Sequence, residues 1–309
     1  MVRRLTARVV RVRAANPSPM TLTGTNTYVI DVGDRHAVVI DPGPRLEAHV
    51  DAIVAALAET RLTLAAILVT HGHPDHAPAA ELLAARTGAP VWAHARARFP
   101  HDRELADREQ LAFDTVTLDV VDAPGHALDH LVFWLSDEKA LFTGDVVLGE
   151  GTTVIAPPGG AMRPYQQTLR RLEREYVEAE AIHGGHGEPV GDPRERLRYY
   201  ISHREGRERQ VLQHLERGAA TIPALVETIY ARHDRRLWPA AARQVLAHLL
   251  ALEEENRVVP HVLERPSTPT EREILEPDLR RIADPSTREV AREELGTTLE
   301  LPLVEYRLA

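Results

Sequence analysis

A chain of 309 residues is long enough for a substantial core, in one large domain or two smaller ones. Its 43% hydrophobic share is ordinary for a globular protein, and its net charge of −9 does not favour a general binder of nucleic acid or acidic membrane, which needs clustered Arg and Lys. It has no cysteine, so disulfides, thiolate ligands and cysteine nucleophiles are excluded, and any metal must be held by His and carboxylates.

The chain opens "MVRRLTARVVRVRAANP", basic but without the apolar stretch of a secretory signal. An Arg-rich transit peptide is one reading. Alternation of Val and Arg favours a first strand. No run reaches transmembrane length, so a cytoplasmic location is expected. Residues 26–40, "NTYVIDVGDRHAVVI", predict two strands joined by an Asp/Gly turn, followed by the tight "DPGP" loop. "RLEAHVDAIVAALAET" carries Val50, Ile53, Val54 and Leu57 at helical spacing. "LAAILVT" is a short buried strand, "APAAELLAARTG" a helix closed by Gly88, and "APVWAH" the next strand, an alternation that suggests layered α/β structure. "FDTVTLDVVDAP", "HLVFWLS" and "ALFTGD" read as consecutive strands. "YQQTLRRLEREY" reads as a helix, and "AEAIHGGHGEPV" as a strand entering a Gly-rich loop. Lys139 is the sole lysine and lies in the acidic "SDEK" turn, a poor setting for Schiff-base chemistry.

After Gly191 the character changes. "RERLRYYISHREGRERQVLQHLERG" is a long charged helix, and "TIPALVETIYARH" and "WPAAARQVLAHLLALEEENR" each begin with a Pro start signal. "VVPHVLE" and "LPLVEYRL" complete a three-helix, two-strand winged-helix pattern. Arg265–Thr298, rich in Glu, Arg and Pro and partly helical at "TPTEREILEPDLRRIA", is inserted between the strands. The pattern divides the chain into 1–204, a catalytic domain, and 205–309, a winged-helix-like domain with the charged insertion 265–298. The third helix carries few Arg and a Glu triplet, which argues against reading DNA bases. Packing on the first domain, walling the cleft or a homo-oligomer contact are the uses expected instead.

"VTHGHPDHAPAA" at Val69–Ala80 concentrates the chemistry. His71, His73, Asp75 and His76 form H-x-H-x-D-H on a loop leaving a strand. His71 and His73 can converge on one ion, while Asp75 and His76 turn to another. Neither half is complete, because a catalytic site needs three protein ligands and an open position. Later strand ends offer His126 after a Pro-Gly turn, Asp145 in "LFTGD", and His186 in "AIHGGHGEP", with His183 as its rival.

These residues, in this order, resemble the metallo-β-lactamase fold superfamily, and specifically its lactamase-like protein 2 branch of hydrolases. The stretches "NPSPMTLTGTNTYVI", "APGHALDHLVFWL", "LFTGDVVLGEGTTVIAPP" and "HGEPVGDPRERLRYYISHREGRERQVL" carry the likeness over roughly residues 10–260. The resemblance implies an α/β fold, an αββα sandwich followed by a small winged-helix (α+β) domain. It implies His71, His73 and His126 on a first metal, Asp75, His76 and His186 on a second, and Asp145 bridging both. The metals would be two Zn²⁺ per chain, with Fe²⁺ or Mn²⁺ as alternatives. Where the family usually has Pro before the last ligand, this chain has Gly185; the His-Gly-x-Pro context favours His186 over His183. The resemblance also suggests that Asp41 supports the metal loop through a ligand imidazole. Asn26 is expected to face the cleft, and His130 to contact substrate, to support a ligand or to serve a structural role. His36, His49, His94, His101, His203, His214 and His233 show no ligand grouping.

Two cations sharing a water would lower its pKa and so supply a bridging hydroxide near neutral pH, with Asp75 orienting it and passing its proton to the leaving group. The substrate expected is an ester, thioester, lactone or RNA phosphodiester. The alternatives are a dedicated single-stranded-RNA endonuclease, or a metal-binding regulatory protein acting through the winged helix. Acidic net charge and the lack of an aromatic-basic cluster stand against RNA.

Overall fold

The computed structural model describes residues 1–276 and 303–309. Alternation along Val9–Arg13 and His36–Ile40 decides the layering. Val9, Val38 and Ile40 face a second sheet, whereas Val10, Val12 and Val39 face helices. The first sheet runs β1 (Val2–Arg4), β2 (Val9–Arg13), β3 (Asn26–Gly33), β4 (His36–Ile40), β5 (Thr63–Leu68), β6 (Val91–His94), β7 (Arg103–Leu105) in spatial order. It is antiparallel up to β4 and parallel beyond. Helices α1 (Glu47–Thr60) and α2 (Ala79–Thr87) cover its outer face through Val50, Ile53, Leu57 and Leu83. Gly88 ends α2 in the left-handed conformation, as its place after "AART" predicts. The β3–β4 turn has both Asp34 and Arg35 at positive φ, the pattern that matches strand twist in a two-residue hairpin.

The second sheet contains β8 (Gln110–Ala112), β9 (Thr117–Asp122), β10 (Leu131–Leu135), β11 (Ala140–Gly144) and β12 (Ala181–Gly184). Its order is β12-β11-β10-β9-β8, antiparallel except for β12 on β11. Leu118, Val120, Leu131, Phe133, Leu135 and Phe142 fill the space between the sheets. Val121, Val132, Trp134 and Leu141 face outward onto α3 (Met162–Glu175) and the first half of α4 (Pro193–Leu215). The result is the expected αββα sandwich. The short strands β7 and β8 were not legible in the sequence; three residues hold too little pattern to register.

The third sheet, β13 (Ala220–Thr221), β15 (Val304–Leu308) and β14 (Val258–Val262), packs with α5 (Ile222–Ile229), α6 (Trp238–Glu254) and α7 (Pro269–Leu275). Thr268 and Glu271 close a capping box at the start of α7; the rest of the 265–298 insertion, from residue 277, lies outside the described residues. Helix α4 runs unbroken through residue 204, the boundary read from sequence. Leu197 and Tyr200 pack with the sandwich, Val211 and Leu215 with the winged helix. Helix α6 is buried at every position from Trp238 to Leu249, and Ala247 and Ala251 join the cluster that contains Leu141, Val146 and Tyr165.

Candidate metal centre

The loop after β5, the turn before β10, the end of β11 and the loop after β12 all open at one edge of the sandwich, because strand direction puts their ends together. They bring the seven residues expected from sequence into one cluster, six of them buried and His73 half-buried. Ligand-type atoms of His71, His73 and His126 lie within 4.8 Å of one another, as do those of Asp75, His76 and His186; His71, His76 and Asp145 form a third such group. His73 Nδ1 is 3.0 Å from both His71 Nε2 and His126 Nε2. His186 Nε2 is 3.1 Å from Asp75 Oδ2 and 3.3 Å from Asp145 Oδ2. His76 Nε2 is 3.4 Å from a carboxylate oxygen of each. Asp145 Oδ2 also comes within 3.7 Å of His126 Nε2, so its carboxylate stands between the two groups.

The outer nitrogens determine what the inner ones offer. Thr70 gives its hydroxyl proton to Asp41 Oδ2 at 2.8 Å, so His71 Nδ1–H donates to the Thr70 oxygen at 2.9 Å. His76 Nδ1–H donates to Asp41 at 2.8 Å and His126 Nδ1–H to the Val154 carbonyl at 3.0 Å; His186 Nδ1 faces the Gly24 carbonyl at 3.5 Å. Each ring then turns a bare Nε2 lone pair inward. Lone pairs and carboxylate oxygens face one another, and Asp75 Oδ1, Asp145 Oδ1 and His76 Nε2 are buried without a hydrogen-bond partner. Such a set lacks donor hydrogens and is satisfied by cations, with N and O ligands suited to zinc, iron or manganese.

Without a cation, protons take up part of this demand. Burial alone would lower His186, yet Asp145 and Asp75 outweigh it and push it up to about 10; His76 is raised well above its ordinary value by the same contest. Burial lowers His73 to about 3, assisted by His126, and holds His71 and His126 down as well. Asp75 and Asp145 stay ionised, since the cationic imidazoles overcome the upward push of burial.

Asp41 supports the loop as the resemblance implies. Its Oδ1 accepts the Thr70 amide at 2.8 Å while Oδ2 holds His76, and its own φ is +52°. Asn26 departs from expectation. Its Nδ2 donates to the carbonyls of Gly184 and Gly187 and its Oδ1 accepts from Arg13, so neither amide hydrogen is left to polarise a substrate oxygen. Its neighbour Thr25 reaches the centre instead, donating to Asp75 Oδ2 at 2.9 Å. Of the roles open for His130, substrate contact, support of a ligand or a structural place, the first is not met. The ring is fully buried, stacks on His71 at 4.5 Å, and accepts the Asp145 amide at 3.1 Å. His183, the rival to His186, points into the inter-sheet core against Tyr28 and Phe142 and joins none of the ligand groups. Gly185 is needed beside His186: a Cβ there would sit 2.4 Å from Asp145 Oδ1 and 2.5 Å from His76 Cε1. Sequence reasoning also missed Glu188. It ties Arg3, Arg11 and Arg13 to the His186 loop, and nothing but long-range pairing signals it.

Beside the cluster, apolar and charged side chains are mixed: Arg96 donates to the Leu128 carbonyl at 3.4 Å and Asp129 accepts the Gly72 amide at 3.1 Å. Leu128, two residues from His126, is 43% exposed, and Phe99 lies against Gly72 between the first two histidines. No helix among the described residues is long and apolar enough to cross a membrane.

The metallo-beta-lactamase superfamily model matches residues 20–186, and the model of a beta-lactamase-associated winged helix domain matches residues 221–262. A beta-lactamase-like protein 2 homologue of Drosophila melanogaster is 33% identical over 281 residues, 83% of this chain and 91% of the relative. An atrochrysone carboxyl ACP thioesterase of Aspergillus fumigatus is 32% identical, over 74% of this chain and 75% of its own. A metallo-beta-lactamase family protein of Thermus thermophilus shares the fold with a TM-score of 0.70 at 24% identity, covering 84% of this chain and 97% of that one.

Proposed function

We propose, from the premise that this chain belongs to the metallo-beta-lactamase superfamily and carries its associated winged helix, that it is a two-metal hydrolase of acyl substrates, esters or thioesters, rather than of RNA. The observation that carries the reading is the carboxylate of Asp145 between an all-imidazole group and an Asp75/His76/His186 group. His71, His73 and His126 would hold one ion, Asp75, His76 and His186 the other, and Asp145 both, with zinc the metal that best suits this donor set. When bound, the ions supply a lowered water pKa and stabilisation of developing oxyanion charge.

The chain's own residues do the rest. Asp75 receives the Thr25 hydroxyl on Oδ2. Its carboxylate would take the proton of the attacking water and return it to the leaving alkoxide or thiolate, so no Ser or Cys nucleophile is required. Asp41, Thr70 and the Val154 carbonyl fix the ring tautomers, so no reorganisation is needed as charge develops. Leu128 and Phe99 offer apolar surface to an acyl chain. Two relatives that hydrolyse an acyl-carrier thioester by name, from Aspergillus fumigatus and Aspergillus chevalieri, support the same class. Helix α6, buried from Trp238 to Leu249, offers no recognition face to a DNA groove, and a cytoplasmic enzyme remains our reading.

Metal analysis joined to a screen of an alkyl ester, an acyl thioester, a lactone and a single-stranded RNA tests the proposal, with Asp75→Asn as control. Turnover of ester or thioester that the substitution abolishes is the expected result. RNA cleavage with no acyl hydrolysis would replace the substrate class; metal uptake without any hydrolysis would favour a regulatory role. A single iron per chain would point to oxidative chemistry instead.

A further inference from the structure

The segment between β11 and α3 is held by side chains from three helices. Tyr165 of α3 donates to the Val146 carbonyl, the Leu148 amide donates to Tyr200 of α4, and Arg196 donates to the carbonyls of Leu148 and Gly151. Three consecutive residues then connect in two directions. Thr153 Oγ1 donates to the Asp145 carbonyl at 2.7 Å, and the Thr153 carbonyl accepts from Arg204 Nη2 at 2.5 Å. The Val154 carbonyl receives His126 Nδ1–H at 3.0 Å. The Ile155 amide donates to Gln244 Oε1 at 3.2 Å, and that oxygen also accepts from Arg204 Nη1 at 3.0 Å. Gln244 lies on α6, in the region that matches the winged helix.

Arg204 is 1% exposed, rests over the rings of Tyr165 and Tyr200, and donates to an amide oxygen and a carbonyl, with no carboxylate partner among the described residues. A buried guanidinium without a counter-charge is an expensive way to fill space that Met or Leu could fill. What it gains here is two directed donors at one end of the Thr153–Ile155 segment.

We infer that Gln244 and Arg204 are positioning residues of the metal centre: they set the Thr153–Ile155 segment, which in turn aims the His126 ring and anchors Asp145. The winged helix is then a structural part of the site rather than an appended module. This rests on His126 and Asp145 being ligands, and the experiment separates the two ideas.

Full-length Gln244→Leu, Gln244→Glu and Leu252→Ala are compared with wild type. Leu252 lies in the winged-helix core away from the segment, so its truncation supplies a destabilised control. Chelator competition reads metal affinity, thermal melting reads stability, and proton exchange at His126 Nδ1 in the metal-loaded protein reads ring orientation. Gln244→Leu is expected to weaken one of the two ions about tenfold and to speed exchange at His126, in line with the effect of outer partners on metal sites. Gln244→Glu keeps the accepting oxygen and restores affinity to within about twofold of wild type. Unchanged affinity in Gln244→Leu overturns the inference, as does an equal loss in Leu252→Ala, or failure of Gln244→Glu to recover while both Gln244 variants merely melt lower. A wild type that binds no metal overturns the ligand assignment itself, and the inference with it.

Discussion

The imidazole half of the centre, His71, His73 and His126, and the carboxylate half, Asp75, His76 and His186, face the same burial with different means. In the first, burial keeps the rings neutral, His73 being lowered to about 3. In the second, Asp145 and Asp75 override burial and hold His186 protonated up to about 10. The first half is aimed by a hydroxyl and a carbonyl, from Thr70 and Val154; the second is aimed by the carboxylate of Asp41 and a hydroxyl from Thr25. The difference teaches that two equally crowded groups of donors need not carry the same charge. In the proposed reaction the carboxylate half would supply proton transfer, and the imidazole half neutral ligands that leave charge balance to the ions.

The largest test of that division is Asp75→Asn, which keeps the shape of the loop and removes the base. Turnover should fall by about 10²- to 10⁴-fold. Near-wild-type rates in a metal-loaded variant would remove Asp75 from proton transfer. Next is Asp41→Ala, which withdraws the acceptor of His76 and of both Thr70 donors. It should destabilise the fold by about 3–5 kcal/mol, the usual consequence of leaving buried polar partners uncompensated. A chemical denaturation midpoint equal to wild type would contradict the buttressing role.

Acidity sharpens the contrast in metal-free protein. His73 has a folded pKa below its ordinary 6.5, so its contribution is lost as pH falls from 6.5 towards about 3. His186 has a folded pKa above 6.5, so its contribution is complete below 6.5 and lost as pH rises through about 10. Melting temperature should therefore pass through a maximum near neutrality and fall on both sides, with metal flattening the alkaline limb. A monotonic profile would mean that the halves do not oppose each other. Glu188→Ala is a smaller perturbation. Glu188 is itself 55% exposed, yet its loss leaves Arg11, 2% exposed, without its carboxylate; a cost of about 1–3 kcal/mol is expected from thermal melts, with metal content retained. The smallest effect should come from His183→Leu, which replaces an imidazole with two unpartnered nitrogens inside an apolar contact. Stability should change by less than about 1.5 kcal/mol and metal content not at all; loss of an ion would return His183 to the ligand set.

The cluster was legible in the sequence because H-x-H-x-D-H puts four donors within six positions, and the later ligands sit at strand ends where Gly or Pro turns mark them. Apart from the three-residue β7 and β8, strand and helix order through residue 191 was legible for a related reason: buried strands such as "LVFWL" and helices capped by Gly88 carry their own local pattern. Asn26 was misplaced because an amide in a turn looks the same whether it faces a cleft or two distant carbonyls. Thr25, Glu188, Arg204 and Gln244 carried no signal, since their partners lie about 50 to 180 residues away and only tertiary pairing defines them. The boundary expected at 204/205 lies inside a helix, since α4 changes partners without changing its helical pattern.

The most direct measurement is the metal content of purified wild-type protein beside Asp145→Asn, determined by elemental analysis after equilibration with limiting chelator. The account predicts close to two ions per wild-type chain and loss of affinity at both positions in the variant, because one carboxylate stands between the two groups. Retention of one tightly held ion in Asp145→Asn, or a single ion in the wild type, would contradict a centre built around Asp145.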